Sequence, residues 1–299
     1  MKSCVVALAK YESPYIKEWV DHQIQLGFDH IIIGDNNNDY RENLMYVLND
    51  YVCDNKVTII NIQNPNINQL NFYKHVYENL VGKYDWALFC DIDEFLYLNN
   101  YDNVNDYLNS DSFNNFDVIK INWKLMSNNG YLIEIFKPVK ERFTEEIKDC
   151  EFIDGNINND NIYVNNSVKS FYRTNLNIIP QVHCTECYYE NIRYCDCEGN
   201  EIIDQENFPN WSQYNKVINY SEAYIKHFVT KSLEEYVKYK MKRGWSCYND
   251  TEERKQEVKD KYLNYEQFMK VNKLDPNNEV YKTLFEEFYK KYIINNFYN

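Results

Sequence analysis

The sequence predicts an α/β domain built on a mainly parallel sheet with flanking helices, and three observations indicate this fold class. Short apolar runs typical of strands alternate with amphipathic segments of helical length through about the first 95 residues. This alternation is the pattern of repeated strand–helix–strand units, whose strands lie parallel. A chain of 299 residues, 17% of them aromatic, is also long enough to bury the core of such a domain.

The predicted elements follow in a regular order. The first strand covers residues 4–9, and the next helix begins at Ser13, where Pro14 fits the first helical turn. Alternating hydrophobicity over 117–131 predicts a later strand, whereas the asparagine-rich stretch 147–166 predicts a long loop. The remaining predictions are strands at 30–33, 56–60 and 86–90, and helices at about 42–51, 67–81, 233–242 and 279–297.

The charge and the glycines narrow the range of functions. The chain carries 46 acidic and 32 basic residues, a net charge of −14, which repels a polyanion and disfavours nucleic acid as a partner. A small phosphorylated ligand is still compatible with this charge, because a divalent cation in an acidic pocket neutralises a diphosphate locally. The seven glycines contain no Gly-x-Gly pair, which disfavours dinucleotide-binding and P-loop sites.

The apolar segments and the cysteines bear on the compartment. No segment approaches the roughly 20 apolar residues of a membrane span, and the apolar run near the start is too short for the core of a signal peptide. The nine cysteines are an odd number, and without a visible export signal they favour a reducing compartment. We therefore expect a cytoplasmic protein with no integral membrane segment.

An acidic tripeptide, Asp91-Ile92-Asp93, follows one of the predicted buried strands. In open α/β sheets the ligand crevice lies at the carboxyl ends of the strands, so this position suits a binding site. Carboxylates flanked by core residues such as Phe95 are costly unless they are paired or bind a metal. Two aspartates at this spacing suit a hard divalent cation, whose other coordination positions then take diphosphate oxygens. A solvated acidic turn is the alternative.

Aspartyl phosphatases of the haloacid dehalogenase type use the same tripeptide differently, because their first aspartate is a nucleophile. These enzymes place threonine or valine two residues after the second aspartate, and here that residue is Phe95. Their nucleophile also follows the first strand, whereas Asp91 follows about the fourth. The phosphatase is therefore the weaker alternative.

Several segments, taken in order, resemble glycosyltransferases of family 92 and the related family 2-like group. Residues 7–12 are similar to the family's first strand and its Lys-Asn-Glu turn, with Tyr11 in place of asparagine. As an ordered set, the matching segments are more specific than any one of them. The others are 18–20, 26–30, 35–39, Gln69 with Tyr73, 86–95, 121–123, 129–130, 141–144, 168–170, 182–183, 227–232 and 242–244.

The resemblance implies a GT-A-like domain that binds a nucleotide-sugar and moves the sugar to a hydroxyl group. We expect this domain to cover residues 1–248, with a nucleotide-binding half at about 1–98 and an acceptor-side half at about 99–230, before a helical C-terminal extension at 249–299. The expected donor is a UDP-sugar, the cofactor Mn²⁺ or Mg²⁺, and the acceptor a glycan, protein or lipid-linked molecule, with inversion at the anomeric carbon. A catalytically silent nucleotide-sugar-binding protein is the alternative.

The resemblance also assigns roles to individual residues. Asp91, Asp93 and His227 are the expected metal ligands, and Glu94 is expected to support the loop. Glu141 is the candidate base that deprotonates the acceptor hydroxyl, although an ion pair with its neighbour is an equal alternative. Contacts to the nucleotide-sugar are expected from Lys10, Glu12, Asp35, Gln69, Asp91, Ile92, Asp93 and Lys231.

Four further residues have both a functional and a structural interpretation. His183 is a weaker candidate ligand, and Trp123 either stacks on a sugar or belongs to the core. Lys169 and Arg243 either meet phosphate oxygens or lie on solvated faces.

A cysteine cluster forms a separate motif. Four thiols within fourteen residues would suit a structural Zn²⁺, although the spacing of the second pair is tighter than in common zinc fingers. Free thiols and, in a reducing compartment less so, disulfides are the alternatives. The four residues are Cys184, Cys187, Cys195 and Cys197.

Overall fold

The computed structural model describes residues 1–37, 42–62, 68–147, 164–205, 208–241 and 264–294. Nine strands occur in these residues: β1 (Ser3–Ala9), β2 (His30–Asp35), β3 (Val57–Asn61), β4 (Trp86–Phe89), β5 (Glu94–Leu98), β6 (Val118–Leu125), β7 (Val168–Arg173), β8 (Tyr194–Cys195) and β9 (Ala223–His227).

Eight α-helical segments accompany the strands within the described ranges. They are α1 (Ser13–Gln25), α2 (Leu44–Cys53), α3 (Gln69–Tyr77), α4 (Val104–Leu108), α5 (Val139–Arg142), α6 (Leu233–Glu235), α7 (Tyr265–Val271) and α8 (Glu279–Phe288). Two π-helical stretches, Tyr236–Met241 and Tyr289–Ile294, continue α6 and α8. The predicted α/β class, with helices flanking a sheet and helices toward the C-terminus, is confirmed.

The sheet has the strand order β3-β2-β1-β4-β7-β6-β9-β5, and β8 pairs with β6. Its first four strands in the sequence run parallel, as predicted. Beyond β4 the sheet is mixed, because β7 pairs antiparallel with both β4 and β6, and β5 pairs antiparallel with β9. The expectation of a mainly parallel sheet therefore holds for the N-terminal half only.

Local sequence explains where the helices beside the parallel strands begin and which residues pack against the sheet. Pro14 lies in the first turn of α1, where its missing N–H costs no helical hydrogen bond. Helix α3 begins after Asn68, whose side chain accepts a hydrogen bond from the Asn71 N–H and so caps the helix. On the sheet side, Phe72 and Tyr73 of α3 are buried in one apolar cluster with residues of β1, β4 and β7.

The chain divides into two compact units. The first comprises residues 1–124 and 151–227, and the second comprises residues 125–150 and 228–299. The second unit has a core of its own, formed by Leu233, Tyr236, Val237, Phe268, Met269, Phe285 and Phe288. The boundary expected near residue 248 lies outside the described residues, so the division into 1–248 and 249–299 stays a prediction, as do the two halves of the first part.

Gly199 is a point of close packing in the first unit. Its φ of +95° lies in the left-handed region, and a Cβ there would come within 2.8 Å of the Ser112 carbonyl oxygen. We expect Gly199→Ala to lower the free energy of unfolding by about 2 kcal/mol or more, because backbone strain and overpacking add. Gly82→Ala is the matched control, since Gly82 also has a positive φ of +74° but nothing within 4 Å of the added carbon. Equal losses in chemical denaturation would contradict the packing contribution.

Candidate functional site

The carboxyl ends of three neighbouring parallel strands meet at one edge of the first unit. The pairing of Ala9 with Asp35 brings the end of β1 level with the end of β2. On the other side of β1, Val6 pairs with Phe89, and the Cys90 N–H donates to the Val6 carbonyl. The residues that follow these strands therefore share an edge, which is where α/β sheets bind their ligands.

The ends of β1 and β2 are joined into one corner. Tyr11 has a φ of +56°, uncommon for a residue with a side chain, and its N–H donates to Asn37 Oδ1 at 2.8 Å. Asn37 in turn donates from Nδ2 to Asp35 Oδ1 at 2.7 Å. Lys10 is half-buried beside this turn, and Glu12 is buried at the start of α1, where its carbonyl accepts from two helical N–H groups.

Asp91 follows β4 and is held from several sides. Gln69, at the start of α3, donates from Nε2 to Asp91 Oδ1 at 2.8 Å. Lys169 of β7 donates from Nζ to Asp91 Oδ2 at 3.0 Å. The Asp91 N–H donates to Glu94 Oε2 at 2.9 Å, which fixes the turn of the motif. The Asp91 side chain is 29% exposed, whereas the Lys169 side chain is fully buried beneath it.

The sheet register explains why Lys169 reaches this site. Leu88 of β4 pairs with Phe171 of β7 in an antiparallel register. Continued by two residues, the same register brings Lys169 level with Cys90, next to the motif. Lys169 also lies 3.3 Å from Glu94 Oε2, so one ammonium group serves two carboxyl groups.

Burial and these charges set the protonation states. Burial lowers the pKa of Lys169, but the carboxylates of Asp91 and Glu94 outweigh it and hold that pKa well above its ordinary value. Burial raises the pKa of Glu94 to about 8, although Lys169 acts in the opposite direction. At neutral pH Lys169 is therefore charged, and its shorter contact with the two carboxyl groups is the one to Asp91.

Asp93 and His227 form the second part of the site. Glu94 pairs with His227 across β5 and β9, so the end of β9 lies beside the motif. Asp93 is 1% exposed, and its Oδ1 lies 3.6 Å from His227 Nε2. The ring of Trp123 packs against the His227 ring at a centroid distance of 4.3 Å. Ile92, between the two aspartates, is buried and anchors the loop in the core.

Helix α1 fixes the strand that follows the motif. Trp19 Nε1 donates to the Glu94 carbonyl at 2.8 Å, and His22 Nε2 lies 2.7 Å from the Leu96 carbonyl oxygen. Both side chains are buried. Strand β5 thus starts at a fixed place, which orients the preceding aspartate.

The pair of Asp93 and His227 fits a divalent cation. Two ligand atoms at about 2.1 Å from one ion lie about 3 Å apart when they bind at right angles, so a small adjustment from 3.6 Å suffices. Carboxylate and imidazole are both accepted by Mn²⁺. In the described part of the chain no three His, Cys, Asp or Glu side chains form a ready ligand group, so Asp91 is not gathered with these two into one. Such an ion would complete its shell with water and phosphate oxygens.

Two other predicted residues lie near this pair. His183 packs against Trp123 at a centroid distance of 5.2 Å, and its Nδ1 lies 3.1 Å from the Val168 carbonyl oxygen. Burial, together with the charge of Lys169, lowers the pKa of His183 to about 3, so its ring is neutral at physiological pH. Trp123 is itself buried, with 9% of its surface exposed, and lies between the two histidine rings.

Lys231 and Glu141 belong to the second unit. Lys231 is buried and has a φ of +52° just before the Ser232 cap of α6. Glu141 is exposed on α5, and the neighbouring Arg142 pairs with Glu235 at 2.6 Å. Their expected roles toward the donor and the acceptor stay predictions. Arg243 lies outside the described residues.

The structure gives the expected zinc site no support. Within the described ranges, which include all four cysteines, no group of three or more candidate ligands is found. Cys197 Sγ donates to the Asn219 carbonyl, and Cys195 Sγ to the Val118 carbonyl, so both thiols serve the local packing. Cys187 is exposed, and all four are free thiols.

The sequence missed how Lys169 is used. Lys169 was expected at phosphate oxygens or on a solvated face, but it has no exposed surface and lies between two carboxyl groups. No spacing signal exists for this contact, because 78 residues separate Lys169 from Asp91. The only sequence signal was a lysine inside a hydrophobic strand, which must find partners when it is buried.

The class of protein follows from the whole sequence. The profile of Glycosyltransferase family 92 matches residues 1–272. The chain belongs to this family, which confirms the predicted resemblance and sets aside the aspartyl phosphatase. A search of curated proteins found no match.

Several solved glycosyltransferase structures are similar to this chain. S. aureus TarS 1–349 shares 11% identity with a TM-score of 0.41, and the match covers 99% of this chain and 74% of that chain. Its complex with UDP-GlcNAc matches at 14% identity and a TM-score of 0.32, over 42% of this chain and 35% of that one. The mannosyltransferase PcManGT from Pyrobaculum calidifontis, in complex with GDP-Man and Mn²⁺, matches at 11% identity with a TM-score of 0.32. This match covers 40% of this chain and 35% of that chain. These last two matches span about a third of each solved chain.

Among the residues that the structure describes, no helix combines the length and the apolar character needed to cross a bilayer.

Proposed function

We propose that this protein is a metal-dependent glycosyltransferase that moves a sugar from a UDP-sugar to a hydroxyl acceptor with inversion at the anomeric carbon. Family membership supports the transfer of a sugar. The observation that carries the metal dependence is the buried pair of Asp93 and His227 at 3.6 Å, next to the strand ends of the parallel sheet. A cytoplasmic location stays a prediction.

Different residues of the site would bind the metal and the nucleoside. Asp93 and His227 would hold Mn²⁺ or Mg²⁺, which when bound supplies positive charge to the leaving diphosphate. Asp35, beside Lys10 and Glu12 at the first corner, would face the nucleoside.

Asp91 is the second acidic group of the motif, and it has a different environment. Its oxygens accept hydrogen bonds from Gln69 and Lys169, so its carboxylate is oriented before any donor arrives. We place it at the donor rather than counting it as the principal metal ligand. Glu141 stays the candidate for the base that removes the acceptor proton.

The proposal is tested by thermal unfolding with nucleotide sugars, with and without Mn²⁺. A UDP-sugar should raise the melting temperature only when Mn²⁺ is present, since a ligand at 100 times its Kd adds about 2.7 kcal/mol of stability. GDP-sugars test whether the protein recognises the uracil base, and UDP alone tests whether it recognises the sugar. If no nucleotide sugar shifts the transition with either metal, the proposal is wrong.

Slow turnover without an acceptor separates an enzyme from a silent binding protein. An active transferase is expected to release free sugar and nucleotide diphosphate from the donor that stabilises it. A donor that raises the melting temperature but is never consumed would favour the silent binder.

A further inference from the structure

Lys169 is a lysine with no exposed surface, at the base of the proposed donor site. Its ammonium group lies 3.0 Å from Asp91 Oδ2 and 3.3 Å from Glu94 Oε2. A buried charge is tolerated only when it is paired, and an apolar residue of similar size often serves stability as well as a buried ion pair. Packing alone therefore gives no reason for a charged residue at this position.

A second buried lysine in the same unit provides a comparison. Lys120 of β6 is also fully buried, but its Nζ donates to two backbone carbonyls, those of Asn210 and Tyr214. The two lysines lie on neighbouring strands, because Lys120 pairs with Ser170, the residue after Lys169. Lys120 thus satisfies loop carbonyls, whereas Lys169 is directed to the carboxyl groups of the motif.

The charges of the motif explain what a buried cation would do there. Asp91 and Asp93 place two acidic groups within three residues, and their negative charge attracts a divalent cation but repels a diphosphate. Lys169 contributes a permanent positive charge from the buried side of Asp91, whose own side chain is 29% exposed. It therefore changes both the direction of Asp91 and the electric potential of the site.

We propose that Lys169 is a positioning residue for the donor: it fixes the Asp91 carboxylate and reduces the negative potential where the metal and the diphosphate bind. This inference rests on the proposed function. The consequence is a cation held more weakly than the carboxylates alone would hold it, in a site that accepts an anionic donor. Loss of the lysine should therefore strengthen the binding of the cation and weaken the binding of the donor.

The test compares Lys169→Met with Lys120→Met, which removes a buried lysine without touching the motif. Mn²⁺ binding is measured without nucleotide, from the electron paramagnetic resonance signal of free Mn²⁺. Lys169→Met should lower the Mn²⁺ dissociation constant by about threefold or more, because a positive charge close to the ion is lost. The donor KM at saturating Mn²⁺ should rise at least about tenfold, because Asp91 is no longer held. Lys120→Met should leave the Mn²⁺ dissociation constant unchanged.

A second pair of variants covers the case in which Lys169→Met does not fold. Glu94→Gln removes the buried acid, and Glu94→Gln with Lys169→Met then differs from it by the lysine alone. The double variant should bind Mn²⁺ more tightly than Glu94→Gln and the donor more weakly. A purely structural lysine would weaken both ligands or neither, and that result overturns the inference.

The two proposals fail in different ways. A wild-type protein that binds neither Mn²⁺ nor any nucleotide sugar overturns both. The role of Lys169 alone is overturned if the wild-type protein turns over a donor with Mn²⁺ but removal of Lys169 leaves the Mn²⁺ affinity unchanged. This result would have to hold both for Lys169→Met against the wild type and for the double variant against Glu94→Gln.

Discussion

Asp93→Asn is expected to reduce metal-dependent sugar transfer by about a thousandfold or more while the protein still folds. Asp93 is 1% exposed and lies 3.6 Å from His227, so it is the best-placed carboxylate for the proposed ion. Asparagine has the same shape but no charge, and a neutral amide is a far weaker ligand for a hard cation that must offset charge on the leaving group. The measurement is release of nucleotide diphosphate across a range of Mn²⁺ concentrations.

The folded state of this variant is assessed by the same thermal transition as the wild type. In the absence of metal the two melting temperatures should be close, and only the wild type should gain stability from Mn²⁺ with donor. Asp102→Asn, a change of the same kind at an exposed aspartate in the first unit, should behave as the wild type. Unchanged turnover in Asp93→Asn, or full activity in a chelator, would show that the metal site is wrongly placed.

Arg142→Met is expected to cost about 3–5 kcal/mol of stability in the second unit. The Arg142 guanidinium donates to both carboxylate oxygens of Glu235, at 2.6 and 2.8 Å, and both side chains are buried. Glu235 also accepts from Ser232 in a capping box at the start of α6. Loss of the arginine would leave a buried negative charge without its cation, which is why the cost exceeds that of a surface pair.

The pH dependence has a definite sign. Burial raises the pKa of Glu235, but the hydrogen bonds from Arg142 and Ser232 outweigh it, so the pKa lies below its ordinary value. The stabilising contribution is therefore present above the unfolded-state pKa near 4.5 and is lost as the pH falls through the folded-state pKa. Denaturation at pH 7 and at pH 4 should show the wild type and Arg142→Met converging in acid.

Lys238→Met is the control for this effect. Lys238 bridges to Glu134 and Glu234 in the same unit, but its side chain is 41% exposed. Water screens such a pair, so the expected cost is below about 1 kcal/mol. Equal losses for Arg142→Met and Lys238→Met would contradict the importance of burial.

The N-terminal half of the fold was predictable because its information is local. Strands β1, β2 and β4 contain continuous apolar runs, and the first helix has a clear start at Ser13 and Pro14. The antiparallel half of the fold was not predictable in this way. Strand β5 comes directly after the turn of the motif and pairs with a strand more than a hundred residues later. Strand β8 is only two residues long and leaves no periodic signal.

The position of the candidate site was predictable from the sequence, whereas the contacts within it were not. Strand β4 ends at Phe89, just before Asp91-Ile92-Asp93, and so places these residues at the carboxyl edge of the sheet, as expected. The proximity of His227 to Asp93 was suggested by resemblance, and no spacing rule could have derived it. The buried Lys169 was visible in the sequence only as a charged residue near the apolar Val168 and Phe171, because its partners are fixed by sheet register.

The pairing of β5 also has a consequence for the order in which the protein is made. In the strand order of the described residues, β5 is an edge strand whose neighbour is β9, so His227 meets Asp93 only after the chain has been synthesised to that point. Strands β1 to β4 are complete by Phe89. At about 5–20 residues per second, the ribosome takes roughly 7–27 s to go from Asp93 to His227, which lies 134 positions later. The nascent chain therefore contains all four parallel strands and Asp91 well before it contains both residues of the proposed cation site.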